Sequence, residues 1–165
     1  MSHIAENLQR VEKRIEEACV RADRDRGEVT LIAVSKTKPV SDIREAMACG
    51  ITVFGENKVQ ELKQKTEEIS VPLHWNMIGH LQTNKVKQLL GNTVLIHSVD
   101  SIRLADTIDT EARKKNIHVD GLLEINVAKE ASKYGFVEEE LEEVLPLFGR
   151  YKNLHIKGLM TIAPN

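Results

Sequence analysis

Thr30-Leu31-Ile32-Ala33-Val34-Ser35-Lys36, closed by Thr37-Lys38-Pro39, is the stretch on which the fold turns. The run is too short for a helix and is rich in aliphatic and β-branched residues, which is how a buried strand of a parallel sheet reads. Residues 41–49 follow with helical spacing, with Ser41 as the expected N-cap and Gly50 just past the end, where a left-handed residue closes a helix. Residues 52–55 form the next short apolar run. Strand, helix and strand in succession make a βα unit, and parallel strand neighbours are its geometric consequence.

The rest of the chain repeats the unit. Residues 59–69 read as a helix and 73–78 as a strand introduced by Pro72; 83–90 read as a short helix capped by Thr83 and ended by Gly91, and 93–99 as a strand. A helix over 101–115, a strand over 119–127, a polar loop over 128–135 and an acidic helix over 137–148 come next, the last kinked or shortened by Pro146. A final strand covers 155–162. Ahead of them, Ile4, Leu8, Val11, Ile15, Ala18 and Cys19 share one stripe of an extra N-terminal helix with Ser2 as its N-cap. About six βα-type units without linker or low-complexity tract give a single α/β domain over residues 1–165. An open doubly wound sheet and a (β/α)₈ TIM-type barrel both satisfy that pattern. A barrel ordinarily takes at least ~200 residues, so length alone favours the open sheet.

Composition narrows the class. Hydrophobic residues make up 41% and charged residues 29%, enough for a real core, while aromatics at 4% leave that core to Val, Ile, Leu, Ala and Met. A net charge of -2 gives no electrostatic reason to expect nucleic acid or an anionic membrane as partner. No apolar stretch approaches a membrane span, and the acidic, amphipathic N-terminus is unlike a secretory signal. Cys19 and Cys49 have no metal-type spacing and read as small buried or half-buried thiols of a reducing compartment, so the cytoplasm is the expected location.

Each strand ends in a polar group on the same side: Ser35-Lys36, Glu56-Asn57, Gly79-His80, Ser98-Val99-Asp100, Asn126 and Thr161. Carboxyl ends of parallel strands form the site face of α/β folds, so these groups are expected to converge. Lys36 is the candidate for chemistry. An amine leaving a sheet is half desolvated, and desolvation together with a neighbouring cation such as Lys38 frees a lone pair for attack on a carbonyl. A dinucleotide role is not expected, because no Gly-x-Gly-x-x-Gly and no Walker loop comes after any strand. His74, His80 and His97 lack metal-ligand spacing, and Ser98 and Ser101 lack a nucleophile elbow. Asp100 with Ser101 is expected to cap the next helix, Trp75 to pack in the core or at its rim, and the glutamates at 138–140, 142 and 143 to form a solvated face.

Taken together, six segments resemble one family. They are Leu31-Ile32-Ala33-Val34-Ser35-Lys36-Thr37-Lys38-Pro39, Phe54-Gly55-Glu56-Asn57-Lys58-Val59-Gln60-Glu61, His74-Trp75-Asn76-Met77-Ile78-Gly79-His80-Leu81-Gln82-Thr83-Asn84-Lys85, His97-Ser98-Val99-Asp100-Ser101, Asn126 through Gly135, and Gly158 through Pro164. In order and spacing they resemble the pyridoxal-phosphate homeostasis proteins, which share the barrel domain of alanine racemase, fold type III of the pyridoxal-phosphate proteins. The resemblance implies a (β/α) barrel with pyridoxal 5'-phosphate held as a Schiff base on Lys36. It places Asn57 against the cofactor and Met160 on the barrel wall beneath it, with His80 and Ser98 at the mouth. Val34, Ile78 and Met160 can supply the apolar walls that a pyridine ring needs.

The family continues for two further strands that carry a Ser/Gly-rich phosphate cradle and an Arg-Ile-Gly segment, and neither occurs in this sequence. The expectation is therefore an incomplete barrel of about six of eight strands, a fragment or a chain needing another to complete it, with the cofactor held less firmly and self-association through open edges. Three roles are open to such a chain. The first is a non-catalytic protein of intracellular pyridoxal-phosphate homeostasis. The second is a racemase-like or aldolase-like enzyme using Lys36, with Glu56 and Lys58 as aldolase partners or Tyr134 as a second acid/base. The third is a scaffold or dimerising piece. Racemisation needs an acid/base group on each face of an imine, and Lys36 serves one face only, which favours the first role.

Overall fold

In the computed structural model, which describes residues 3–93, 95–128 and 134–163, helices and strands alternate from end to end. They are α1 (His3–Arg21), β1 (Ala33–Val34), α2 (Val40–Ala48), β2 (Val53–Glu56), α3 (Val59–Glu68) and β3 (His74–Met77), then α4 (Val86–Leu89), β4 (Leu95–Val99), α5 (Ile102–Lys114), β5 (Val119–Glu124), α6 (Leu141–Val144) and β6 (Leu154–Met160). All strand pairs are parallel and the sheet order is β1-β2-β3-β4-β5-β6.

That order separates the two candidate architectures. A doubly wound sheet reverses its winding at a switch point and puts its first strand inside. Here the winding never reverses. With right-handed crossovers, every connecting helix then lies on one side, and the sheet's twist curls its other face inward. The result is a partly formed barrel whose edges are β1 and β6. Length was the weaker guide; connectivity decides.

The core lies between sheet and helices. Phe54, Met77, Ile96 and Leu123 from the strands meet Ile43, Leu62, Leu89, Leu104 and Ile108 from the helices, all almost fully buried. Trp75 is in this layer too, its ring tilted against Phe54 with centroids 5.7 Å apart. Alternation hands the other residues to the concave face: in β5, Val119, Gly121 and Leu123 are buried while Asp120, Leu122 and Glu124 are half-buried.

Local chemistry explains most element ends. Gly50 and Gly91 come after α2 and the α4 segment at φ 92° and 98°, a conformation that costs a side-chain-bearing residue and not glycine. Ser101 caps α5 by accepting from the Leu104 amide at 3.2 Å. Three amides at the start of β6, from Lys152, Asn153 and Leu154, donate to the single Asp109 Oδ1 of α5, which aims the strand.

Several expectations are corrected. The first strand is two paired residues rather than six. Pro39, not Ser41, precedes α2, and no side chain caps it. Thr83 begins a 3₁₀ turn, Thr83–Lys85, before α4 instead of capping a continuous helix. The acidic helix breaks into the 3₁₀ turn Glu138–Glu140, the short α6 and the 3₁₀ stretch Leu145–Arg150, since Pro146 withholds an amide and its ring crowds the preceding turn. Cys19 is buried, whereas Cys49 is exposed. The expected Ser2 cap and most of the 128–135 loop lie outside the described residues. Among the described residues, no helix is long and apolar enough to cross a membrane.

Candidate functional site

Lys36 sits in the turn directly after β1 and is exposed. Ser35, one residue earlier, is buried and turns toward the helical layer, so Val34 and Lys36 belong to the opposite, concave side. The turn is held on both flanks of the lysine. Ser35 Oγ donates to Glu56 Oε1 at 2.6 Å, and the Ser35 carbonyl accepts from Lys65 Nζ at 2.7 Å. On the other flank the Thr37 amide donates to Glu61 Oε1 at 2.6 Å. Lys65 Nζ also donates to Glu56 Oε1 at 2.6 Å and to Glu61 Oε1 at 2.7 Å. The Lys38 amide closes the turn onto the Ser35 carbonyl.

Lys65 is a residue that the sequence did not single out. It is 5% exposed, and its three ammonium hydrogens meet three acceptors. Glu56 beside it is fully buried, with Oε2 unpartnered among the described residues, so Lys65 is the cation that offsets the burial of that carboxylate. A signal was present: Val59, Leu62, Lys65 and Ile69 fall on one helical stripe, and a lysine among buried apolar positions asks for a buried acid. Glu61 responds to the same network. Burial pushes its carboxyl up, but hydrogen bonds from Lys65 and the Thr37 amide, with the Lys65 and Lys58 charges, outweigh burial and leave it below the ordinary carboxyl value. Thr37 adopts φ 62°, a left-handed conformation that costs a non-glycine residue roughly 1–2 kcal/mol and that the Glu61 bond holds in place.

Asn57, at the end of β2, is half-buried and shares the wall of a cleft of about 320 Å³ with Lys58, His80, Gln82 and Lys85. Its backbone is pressed against Gly79: a Cβ there would sit 2.5 Å from the Asn57 carbonyl oxygen and 2.7 Å from its Cα. Only glycine allows the ends of β2 and β3 to approach so closely. Ser98 is 1% exposed and its hydroxyl is committed to the Gly79 carbonyl at 2.6 Å, so it fixes that approach from beneath. Met160 is half-buried on the last strand and stands opposite Glu124 in the β5–β6 ladder. Ser98, Gly79, His80 and Asn57 thus form one connected group; Lys36 follows one edge strand of the sheet and Met160 ends the other.

A second polar cluster closes the ends of β3 to β5. His80 Nδ1 lies 2.9 Å from Asp100 Oδ2, and the Tyr134 ring stacks on the His80 ring with centroids 3.6 Å apart. Asp100 therefore serves His80 and leaves the helix cap to Ser101 alone. Glu124 is close enough to feel both: burial raises its carboxyl, Asp100 raises it further and His80 opposes them, leaving it above the ordinary value. His97 Nε2 donates to Asn76 Oδ1 at 3.1 Å, and burial holds its ring toward the neutral form. No group of histidines, cysteines and carboxylates suited to a metal occurs among the described residues. Lys58 is exposed and directly precedes α3, in the helix-opening place.

Comparison with known proteins bears on this geometry. The family model for the N-terminal domain of alanine racemase matches residues 1–165. A pyridoxal phosphate homeostasis protein of Aquifex aeolicus is 47% identical over 160 residues, which cover 96% of this chain and 70% of that protein. The solved structure of PipY from Synechococcus elongatus with PLP bound is 36% identical, with a TM-score of 0.80 over 98% of this chain and 71% of that one. Alanine racemase from Corynebacterium glutamicum, at 18% identity, shares the fold with a TM-score of 0.70 over 96% of this chain and 43% of that one.

Proposed function

The chain belongs to the alanine racemase N-terminal domain family, and from that premise we propose that it binds pyridoxal phosphate on Lys36 and acts in the homeostasis of that cofactor without turnover of its own. The observation that carries the reading is the turn after β1, in which both neighbours of Lys36 are pinned while the lysine amine is engaged by none of the described residues. The residues suit such a group: an available amine, the apolar Val34, Ile78 and Met160, and the Asn57 side chain at the end of the adjacent strand. When bound, pyridoxal phosphate supplies an aldehyde, which a neutral lysine amine captures with loss of water.

In this reading Lys36 holds the group, Asn57 flanks it, and Met160 lines the concave wall. Ser98 acts through Gly79 on the placement of Asn57 and His80. The two sheet edges, with Val34 49% and Leu159 59% exposed, favour self-association, which light scattering against concentration measures. The main test is borohydride reduction of the protein after incubation with pyridoxal 5'-phosphate, then peptide mass mapping. The expected result is one phosphopyridoxyl adduct, on Lys36, absent in Lys36→Ala; an adduct spread over surface lysines would overturn the assignment. A racemase-like enzyme is the second reading, favoured by the His80–Asp100 pair with Tyr134 stacked on it, since these are groups able to move protons. Conversion of L-alanine or L-serine in a chiral assay, lost in His80→Asn, would establish it in place of the first.

A further inference from the structure

Lys65, Glu56 and Glu61 form a three-member charge bridge under the Lys36 turn, and nothing in the capture of an aldehyde calls for it directly. Lys65 cannot be a second capturing amine: all three of its hydrogens are taken, by the Ser35 carbonyl, Glu56 Oε1 and Glu61 Oε1. Neither carboxylate is free to accept a proton from Lys36 through its bonded oxygen. Glu56 Oε1 is shared between Ser35 Oγ and Lys65, and Glu61 Oε1 between the Thr37 amide and Lys65. The bridge instead connects two elements. Lys65 and Glu61 stand one helical turn apart on α3, and Glu56 ends β2. All three reach across to β1's terminal turn and grip it at the residue before and the residue after the lysine.

The grip falls where the fold otherwise holds the turn least. β1 has two paired residues and one strand neighbour, and its last bond to β2, from the Ser35 amide to the Gly55 carbonyl at 3.0 Å, stops short of Lys36 and Thr37. Thr37 in the left-handed region, against the preference of a β-branched residue, is held within the turn by the Lys38 amide on the Ser35 carbonyl and from outside it by Glu61. A long flexible side chain gains most in a capture reaction when its own backbone is fixed, because the freedom it must lose is lost in advance.

We infer that Glu61, together with Lys65 and Glu56, is a positioning group that sets the direction in which Lys36 leaves the sheet, and so governs how readily that amine captures an aldehyde-bearing cofactor. The inference rests on the proposed role of Lys36. Glu61 is the member to test, because its side chain is the most exposed of the three at 22%, and its removal leaves the buried Lys65–Glu56 pair intact. In Glu61→Ala the Thr37 amide loses its acceptor; in Glu61→Gln the amide oxygen can still accept it.

Two readouts test the assignment. In the protein before any cofactor is added, hydrogen exchange at the Thr37 amide accelerates about tenfold or more in Glu61→Ala and returns most of the way in Glu61→Gln, the scale expected for loss of a charge-assisted hydrogen bond. On mixing with pyridoxal 5'-phosphate, the absorbance band of the Lys36 adduct forms about tenfold more slowly in Glu61→Ala and near the normal rate in Glu61→Gln. A Glu61→Ala protein with an unchanged unfolding midpoint, faster exchange and unchanged capture kinetics would overturn the inference while leaving Lys36 as the cofactor lysine. Unchanged exchange at Thr37 would overturn it as well. If the unsubstituted protein forms no adduct at Lys36, the proposed function itself fails, and that outcome is read independently of the Glu61 variants.

Discussion

Two polar clusters sit at the same end of the sheet and answer the burial of charge differently. Under β1 and β2, Glu56 and Glu61 share one cation, Lys65, and the pieces are bridged by bonds of 2.6–2.7 Å. Across β3 to β5, Asp100 and Glu124 lie near His80, with the Tyr134 ring laid over the His80 ring. Glu61 is held below the ordinary carboxyl value against its burial, by Lys65 and the Thr37 amide, whereas burial, with Asp100, holds Glu124 above it. The first cluster is a hydrogen-bonded support under the Lys36 turn. The second groups a histidine, a tyrosine and two carboxyls at the mouth of the partial barrel.

The sharpest way to break this contrast is through the two lysines beside it. Lys65→Met strands a fully buried carboxylate and should cost about 3–5 kcal/mol in urea unfolding, while Lys36→Ala, at an exposed turn, should stay within about 0.5 kcal/mol. Similar losses in both would mean that Glu56 finds another partner and the support is not what the geometry implies. Next in size is Gly79→Ala, which drives a methyl into the Asn57 backbone. About 1–3 kcal/mol of stability should be lost, with the Asn57 and His80 amide resonances shifting, and an unperturbed spectrum would show that the strand ends are not in contact.

The smallest effects are the most specific, because they have opposite signs in the two clusters. Glu61, with its folded pKa depressed, contributes stability that is present above the ordinary carboxyl value and lost as pH falls through its folded pKa. Glu124, with its folded pKa raised, contributes stability that is present below the ordinary value and lost as pH rises through its folded pKa. Stability measured against pH should therefore lose part of its acid-side decline in Glu61→Gln and part of its decline above the carboxyl range in Glu124→Gln. Profiles that move in the same direction in both variants would erase the distinction.

Much of the site was legible in residues because strand ends are legible. Ser35-Lys36, Glu56-Asn57 and Gly79-His80 each come after an apolar run, and the structure puts all three pairs at one end of the sheet. Lys65 escaped because Glu61 and Lys65 four apart on a helix read equally well as a solvated surface pair. Asp100 is misleading for a similar reason: beside Ser101 it looks like part of a cap, and only the arrival of His80 from another strand gives it a different partner. The last helix broke further than expected, since Pro146 acts on a segment with little burial to hold it together.

Periodicity, breaker residues and caps act over a few neighbouring residues, so the sequence by itself determined the alternation of strands and helices, the glycine-closed helix ends, and the placing of Lys36 where β1 stops. Strand order, the winding that makes a partial barrel rather than an open doubly wound sheet, and the burial of Lys65 with Glu56 depend on which distant segments meet. Tertiary structure alone decided those, because burial, and with it the cost of leaving a charge unpaired, belongs to the packed chain and not to any stretch of it.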